Sequence, residues 1–158
     1  MKSTSYTYDE ALAKLEHYCA YQERCHMEVE QKLQSLGMIP QLRQTIITQL
    51  IQDNFLNETR FSQAFTRGKF RIKKWGKLRI KRELKVRQIS DWNINNALKE
   101  ISPEDYQLTL HELCEQFWYK HAKLDPWKRG QKVMQALRYR GWETDLIIEA
   151  LNSLRSDS

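Results

Sequence analysis

The chain has 158 residues, 41% of them hydrophobic, which is enough to bury a core in one domain or in a few small modules. Its net charge is +6, no apolar window of about 18 residues occurs, and the N-terminus lacks the apolar core of a secretory signal, so we expect a cytoplasmic protein without a membrane span. Three cysteines without a CxxC pattern argue against a disulfide framework and a zinc finger, and reduced thiols fit the cytoplasm.

Three amphipathic stretches occur along the chain, near residues 8–22, 58–75 and 103–121. The residues that precede or open them suit helix N-termini: Thr7 with Glu10 at the spacing of a capping box, Asn57, and Ser102 before Pro103. The pair Asp125-Pro126 repeats the last arrangement before a further helix. Only five glycines and three prolines interrupt long runs of good helix formers, so the sequence predicts an all-α fold.

Apolar residues recur at a spacing near 52. One pair, Val29 and Leu33, returns at offsets of 51 and 53, and a second apolar pair follows 14 and 17 residues after each Leu. The twelve positions are Val29, Leu33, Ile47 and Leu50, then Ile80, Leu84, Leu98 and Ile101, then Val133, Leu137, Leu151 and Leu154. This recurrence predicts three tandem three-helix units.

The predicted units span residues 7–54, 57–101 and 103–154, with flexible termini at 1–6 and 155–158. Units of about 50 residues bury little surface alone, so we expect neighbours to pack in series as an elongated, curved array. A single compact bundle whose helices share heptad-like spacing is the alternative.

A turn separates the second and third helix of each unit. Gly37 and Gly141 stand four residues after the repeated Leu in units 1 and 3, as at the position that follows a helix C-terminus. Unit 2 has Gln88 at this position, so a different closing geometry is expected there.

The positive charge is concentrated in one segment. Residues 67–87 contain eleven basic residues and one acid, Glu83, which leaves 15 basic and 19 acidic residues elsewhere. Like charges at helical spacing repel one another, and this segment offers almost no acids to compensate them. Phosphate contacts that release counterions are the strongest compensation available, so the segment predicts binding to nucleic acid or another polyanion.

Helical spacing predicts an inward stripe of Phe61, Ala64, Phe65, Gly68, Ile72 and Trp75. This leaves Arg67, Arg71 and Lys74 along one outer side. A break at Gly76 precedes the next basic helix, so two basic helices should meet at a corner. The predicted site consists of Arg67, Lys69, Arg71, Lys73, Lys74, Lys77, Arg79, Lys81, Arg82 and Lys85.

Aromatic residues among basic ones can stack on nucleic-acid bases. Here Trp75 continues the inward stripe, and Trp118 and Trp127 lie in or beside amphipathic segments, so core packing is predicted for them. Phe70 is the hardest of these aromatics to place in a core.

Motifs of common enzyme sites are absent from the sequence. No GxSxG, HExxH, Walker A or GxGxxG pattern occurs, so no catalytic residue and no cofactor is predicted. His17, Cys19, Cys25 and His26 are close in sequence, but helical geometry does not bring all four to one face, so no metal site is predicted.

The basic segment contains two consecutive motifs: Glu58-x-Arg60-Phe61-x-x-Ala64-Phe65-x-Arg67-x-Lys69 and Trp75-Gly76-Lys77-x-Arg79-Ile80-x-x-Glu83-Leu84. They resemble the central signature of the RecX family, in which an RFA-x-AFVR helix leads into a G-x-x-RI-x-x-EL helix. The resemblance runs from about Tyr8 to Leu154, and Arg138-x-x-Gly141-Trp142 is similar to the final repeat of the family. Gln88 departs from the glycine that family members commonly carry.

The resemblance implies a cytoplasmic protein of three tandem three-helix repeats that binds in the groove of the RecA filament. It also implies inhibition of strand exchange, ATP hydrolysis and coprotease activity, and hence regulation of DNA repair, recombination and the SOS response. We expect a monomer that contacts the RecA filament and, without sequence specificity, single- and double-stranded DNA.

Two other functions remain open at this point. A three-helix unit can be a helix-turn-helix, and Asn93, Asn95 and Asn96 could then read adenine edges in a sequence-specific regulator. Alternatively, the basic face of a protein-interaction scaffold could meet an acidic partner without any DNA.

Overall fold

The computed structural model describes residues 6–156, and in that range the chain forms nine α-helices and no strand. In chain order they are α1 (Tyr8–Tyr21), α2 (His26–Ser35), α3 (Pro40–Gln52), α4 (Glu58–Arg71), α5 (Lys77–Val86), α6 (Asp91–Leu98), α7 (Pro103–Lys120), α8 (Pro126–Tyr139) and α9 (Thr144–Ser156). The prediction of an all-α fold is confirmed. None of the described helices is long and apolar enough to cross a membrane.

The helices pack in three consecutive groups, which we call units 1, 2 and 3. Within each of α1–α3, α4–α6 and α7–α9, every helix contacts the other two. The unit boundaries given above stay a prediction. Of the predicted flexible termini, residues 1–5 and 157–158 lie outside the described residues, whereas 155 and 156 belong to α9.

Side-chain caps start the helices where the sequence predicts them. Thr7 and Glu10 form the reciprocal capping box of α1, with distances of 3.2 and 3.1 Å. Asn57, Ser102 and Asp125 each accept a hydrogen bond from a backbone N–H in the first turn of α4, α7 and α8.

Ten of the twelve repeated apolar positions are buried in the core, and the other two, Leu98 and Leu154, are partly buried against it. Val29, Leu33 and their counterparts in units 2 and 3 all have 0% exposure. Unit 1 has a core of its own, whereas the buried residues of units 2 and 3 form one continuous cluster, which Cys25 of unit 1 joins. Units 2 and 3 therefore share a single core.

The turn at Gln88 closes in the same way as its two counterparts, so the expectation of a different geometry is wrong. Gln88 has φ 61°, beside 76° at Gly37 and 90° at Gly141. The residue after each of them donates its N–H to the repeated Leu at 3.1 Å. The buried Ile89 anchors this turn in the core, and its burial compensates for the left-handed conformation that a non-glycine residue adopts at a cost.

We expect Gln88→Gly to stabilise the chain, because glycine adopts a positive φ without steric cost. The expected gain is about 1 kcal/mol, which corresponds to a rise of about 2–4 °C in the midpoint of thermal unfolding. Gln135→Gly, at an exposed position inside α8, is the matched control and should lower stability by about 1 kcal/mol. Equal losses in both variants would contradict the assigned strain at Gln88.

Unit 3 caps the first turn of α5. The N-cap of this helix, Gly76, has no side chain to accept the free N–H groups. Instead, Gly76 N donates to Arg140 O at 2.8 Å, and Leu78 N donates to Gly141 O at 3.0 Å. Lys77 N donates to the hydroxyl of Tyr106 at 2.9 Å. Unit 3 thus satisfies all three donors, which ties the start of α5 to the α8–α9 turn.

An aromatic cluster lies beneath this junction. Phe70, Tyr106 and Trp142 are all buried, and the rings of Tyr106 and Trp142 stack at 4.4 Å. Trp142 Nε1 donates to Lys74 O at 3.0 Å, and the Tyr106 hydroxyl donates to the Glu143 carboxylate. Burial, together with this bond to Glu143, raises the pKa of the Tyr106 phenol. Phe70, which the sequence does not place easily, therefore belongs to the core.

We expect Gly76→Ala to destabilise the chain, because an added Cβ would lie 2.6 Å from the carbonyl carbon of Gly141. Backbone cannot move aside as a flexible side chain can, so a loss of about 1–3 kcal/mol in the free energy of unfolding is expected. Gly68→Ala in α4 is the control, since a Cβ there meets nothing within 4 Å, and it should stabilise by about 0.5–1 kcal/mol. Urea unfolding of both variants checks this pair, and a neutral Gly76→Ala would contradict the close approach.

The junction between units 1 and 2 includes ion pairs and a backbone contact. Arg60 Nε lies 2.6 Å from Glu23 Oε1, and Nη2 of the same guanidinium donates to the carbonyls of Asn54 and Phe55. His26 N donates to Glu58 at 3.3 Å. A single guanidinium thus connects α4, the end of unit 1 and the α1–α2 connection.

Candidate nucleic-acid interface

Helix α4 buries a different face from the predicted stripe. Its buried residues are Phe61, Ser62, Thr66 and Phe70. Ile72 is 77% exposed, and Ala64, Phe65 and Gly68 are half-buried, so only Phe61 of the stripe lies fully inside. Two contacts explain the rotation: α6 packs closely on α4, and Phe70 joins the aromatic cluster of unit 3. Ile72 follows the last turn of α4.

Six of the ten predicted cations are exposed. They lie on the last turn of α4, on the connection to α5 and on the outer face of α5: Arg71, Lys73, Lys74, Lys81, Arg82 and Lys85. Lys74 has φ 57°, a left-handed conformation that turns the chain between the two helices. Lys85 Nζ lies 3.9 Å from Asp91, but its side chain remains about half exposed. We call these six residues the free cations.

The other four predicted cations are half-buried and packed against partners. Arg67 pairs with Glu100 at 3.6 Å, and Lys77 lies over the Tyr106 ring at 4.6 Å. Lys69 and Arg79 lie over the ring of Trp75, at 4.9 and 4.2 Å from its centroid. These four shape the corner between α4 and α5, and the free cations carry the charge that a partner can reach.

The outer face of α5 forms a groove of about 440 Å³ between basic and apolar side chains. Its lining consists of Leu78, Lys81, Arg82, Lys85 and Val86. Leu78 and Val86 are exposed, so their apolar surface lies beside three ammonium or guanidinium groups. Such a face can bind phosphates through the cations and sugars or bases through the apolar strip.

We expect Arg79→Glu and Lys81→Glu to differ sharply, although both reverse one charge on α5. Arg79 packs on Trp75 and Tyr139, and its Nη1 donates to Tyr139 O, so its replacement should lower the free energy of unfolding by about 2 kcal/mol or more. Lys81 is exposed, and its replacement should stay within about 0.5 kcal/mol. Equal thermal midpoints for the two variants would contradict this division of the cations.

The tryptophans divide into packed and exposed ones. Trp75 packs against the core and Trp118 is buried, as predicted. Trp127 is 68% exposed, so the prediction that it packs in the core is wrong. It occupies the second position of α8. Trp92, at the start of α6, is 67% exposed.

The residues first considered as metal ligands differ in their surroundings. Cys19 is buried in the core of unit 1, Cys25 is buried in the core of units 2 and 3, and His17 is exposed. Burial raises the pKa of both thiols, and that of Cys114, to about 11, so all three are protonated at neutral pH. Residues 6–156 contain no group of three or more His, Cys, Asp or Glu side chains that could hold a metal ion.

Asn93 is not free to read a base edge. Its side-chain oxygen accepts a hydrogen bond from Thr59 at 2.7 Å, and its backbone N–H donates to the N-cap Ser90. It is half-buried between α4 and α6, whereas Asn95 is exposed. The contact with Thr59 gives Asn93 a structural role in unit 2.

A second basic segment, in unit 3, escaped the sequence analysis. Residues 120–140 contain seven basic residues and one acid, Asp125. On α8, Lys128, Lys132 and Arg138 are exposed. Outside residues 67–87 the chain carries more acidic than basic residues, because acids that include those of α7 and α9 offset these cations. The total charge of that part therefore does not indicate a basic segment. A separate charge count for each predicted helix would have found it.

The fold and this surface define an all-helical repeat protein with a cationic face on its second and third units. Models of two RecX domains match the chain: the second three-helix domain at residues 57–98 and the third at residues 104–151, together more than half of its length. The chain belongs to the RecX family.

Curated relatives agree with this assignment. A regulatory protein RecX from Pseudomonas savastanoi pv. phaseolicola is 29% identical over 138 residues, which cover 87% of each chain. Proteins of the same name from Lactobacillus johnsonii and Bacillus thuringiensis are 26% and 25% identical over 82% and 89% of this chain. The matched region spans about half of the length of these two relatives, 48% and 52%.

Solved structures share the fold. The crystal structure of RecX from Lactobacillus salivarius superposes with a TM-score of 0.83 at 23% identity, covering 94% of this chain and 96% of the other. A second crystal structure of regulatory protein RecX gives a TM-score of 0.80 at 19% identity, covering 96% and 82%. These similarities support the arrangement of the helices.

Proposed function

We propose that this chain is a regulator that binds the RecA–DNA filament and restrains it, without chemistry of its own. The observation that carries the proposal is the surface of free cations on α5 and its connection to α4, in a chain whose relatives are named regulatory protein RecX. Inhibition of strand exchange, ATP hydrolysis and coprotease activity then follows from occupation of the filament, which acts in DNA repair and recombination.

The charge of this surface suits a phosphate backbone. The outer face of α5 carries Lys81, Arg82 and Lys85, and the acid of that helix, Glu83, is half-buried and bonded to Arg87 at 3.1 Å. No exposed carboxylate of α5 therefore competes with a phosphate for these three cations, and the carboxylate near Lys85, that of Asp91 at 3.9 Å, belongs to the start of α6. Contacts of this kind release counterions and carry no sequence information, which suits a protein that must bind a filament wherever it forms.

The serial packing of the units suits a polymer. Units 2 and 3 share one core and the capped start of α5, so they present their surfaces at a constant relative position. A row of helical units can contact successive subunits of a winding filament while α5 faces phosphates or acidic filament surfaces. One small protein can then hold several subunits together or block the addition of the next.

We expect the double variant Lys81→Glu/Lys85→Glu to bind RecA assembled on single-stranded DNA at least about tenfold more weakly, since two favourable contacts become repulsive. The matched control, Lys14→Glu/Lys99→Glu, changes the net charge equally on exposed residues outside the free cations and should bind within about twofold. Sedimentation of the filament with each variant, with helical circular dichroism as the folding check, measures both. Equal affinities for the two variants would contradict the proposed role of α5.

The salt dependence of duplex DNA binding tests the same surface. About five neutralised phosphates would give a log–log slope near −4.5, and the loss of two contacts should reduce it by about 1.8. A preference of about a thousandfold for one duplex sequence would instead favour a sequence-specific regulator.

The sign of the effect is tested by titrating the chain into RecA that hydrolyses ATP on single-stranded DNA. The proposal predicts a falling rate, and a smaller fall with Lys81→Glu/Lys85→Glu than with the control variant. An unchanged or rising rate would contradict restraint of the filament.

A further inference from the structure

The outer faces of α5 and α8 correspond position by position. The groove on α8 is lined by Gln131, Met134, Gln135, Arg138 and Tyr139. Each stands 53 residues after a residue of the α5 groove, the same offset as between Ile80 and Val133 in the core. Because the units repeat, the second helix of unit 3 exposes the same face that the second helix of unit 2 does.

This face of α8 carries one cation, Arg138, at the position equivalent to Lys85, and exposed lysines lie beside it on the same helix. Between Pro126 and Tyr139 there is no acidic residue, and Lys128, Lys132 and Arg138 are exposed. The acid that precedes the helix, Asp125, accepts a hydrogen bond from Lys128 N as the N-cap. Its carboxylate is thereby engaged at the end of the helix, away from Lys132 and Arg138.

Arg79 connects the two faces. Its guanidinium lies 5.0 Å from the centre of the Tyr139 ring, and its Nη1 donates to the Tyr139 carbonyl at 3.4 Å. The close approach of Gly76 and Gly141 fixes the backbones beside this contact. The cations of α8 therefore hold a constant position relative to those of α5.

Two aromatic side chains stand among the cations of α8. Trp127 near its start and Tyr139 at its end are 68% and 73% exposed. At 1.5 Å per residue they are about 18 Å apart along the helix. Exposed aromatic faces beside basic residues are typical of surfaces that bind single strands, because the bases of a single strand are free to stack on them. In a duplex the bases are already stacked on one another.

The second helix of unit 1, α2, has no such face at these positions. The equivalent positions on α2, 51 residues before those of α5, are Met27, Glu30, Gln31, Gln34 and Ser35. They include no cation, and Glu30 pairs with Arg43 at 2.6 Å. The cationic surface is thus a property of units 2 and 3.

We propose that α8 is a second nucleic-acid contact, which binds a single strand through Lys128, Lys132 and Arg138 and stacks bases on Trp127 and Tyr139. This contact continues the α5 surface onto unit 3. The inference rests on the proposed function, because it assumes that α5 also binds nucleic acid. The ligand class is single-stranded DNA or RNA, bound without sequence preference.

The charge test uses poly(dT), the full-length chain and fluorescence anisotropy. Lys128→Glu/Lys132→Glu should bind at least about fivefold more weakly than the Lys14→Glu/Lys99→Glu control of equal net charge, and its log–log salt slope should be smaller by about 1.4. Binding equal to that of the control would overturn the inference.

The stacking test compares two equally exposed tryptophans. Trp127→Ala should weaken poly(dT) binding about five- to a hundredfold and remove part of the tryptophan quenching that accompanies binding. Trp92→Ala, on α6, should leave both unchanged. Identical behaviour of the two variants would overturn the stacking role, and circular dichroism verifies that both are folded.

The two charge pairs separate this inference from the proposed function. If only Lys81→Glu/Lys85→Glu weakens binding, the α5 surface stands and the inference about α8 fails. If only Lys128→Glu/Lys132→Glu weakens binding to poly(dT), α8 binds nucleic acid and the phosphate contacts proposed for α5 fail. If neither pair differs from the control, both nucleic-acid contacts fail, and losses in both pairs support a surface that spans two units.

Discussion

The first turn of α5 depends on backbone atoms of unit 3. Gly76 offers no capping side chain, so three N–H groups at the start of this helix would be unsatisfied without Arg140 O, Gly141 O and the Tyr106 hydroxyl. That approach is possible only because both facing residues are glycine. Separation of units 2 and 3 would leave these N–H groups without acceptors, which is costly for buried donors. The most basic helix of the chain is therefore held firmly to unit 3.

This junction determines how the positive charge is presented. Cations close to the junction, such as Lys77 and Arg79, lie over aromatic rings. Lys81, Arg82 and Lys85 are exposed on the outer face of α5. The mutual repulsion of these free cations lowers the stability of the isolated chain. Under the proposed function, bound phosphates would relieve this repulsion. Helix α5 thereby combines a fixed backbone with side chains that are free to bind.

Much of the fold could be predicted from the sequence, because caps and apolar spacing are local signals. Thr7, Asn57, Ser102 and Asp125 cap helices as expected, and ten of the twelve recurring apolar residues are buried in the core. Details that depend on contacts with a neighbouring unit could not be predicted from the sequence. Periodicity within α4 cannot show that Phe70 joins rings from unit 3, nor that Gln88 adopts a glycine conformation because Ile89 is anchored. For the candidate site, the sequence predicts the basic segment but not which cations are free, since that depends on packing partners.

Protection of lysines from reductive methylation measures directly whether α5 contacts the filament. The chain would be methylated alone and bound to RecA on single-stranded DNA, and each lysine quantified by mass spectrometry. If α5 contacts the filament, Lys81 and Lys85 are strongly protected on binding, and Lys128 and Lys132 are protected as well if the surface spans two units. The exposed Lys14 and Lys99 should react equally in both states. Unchanged reactivity of Lys81 and Lys85 in the bound chain would contradict a contact between α5 and the filament.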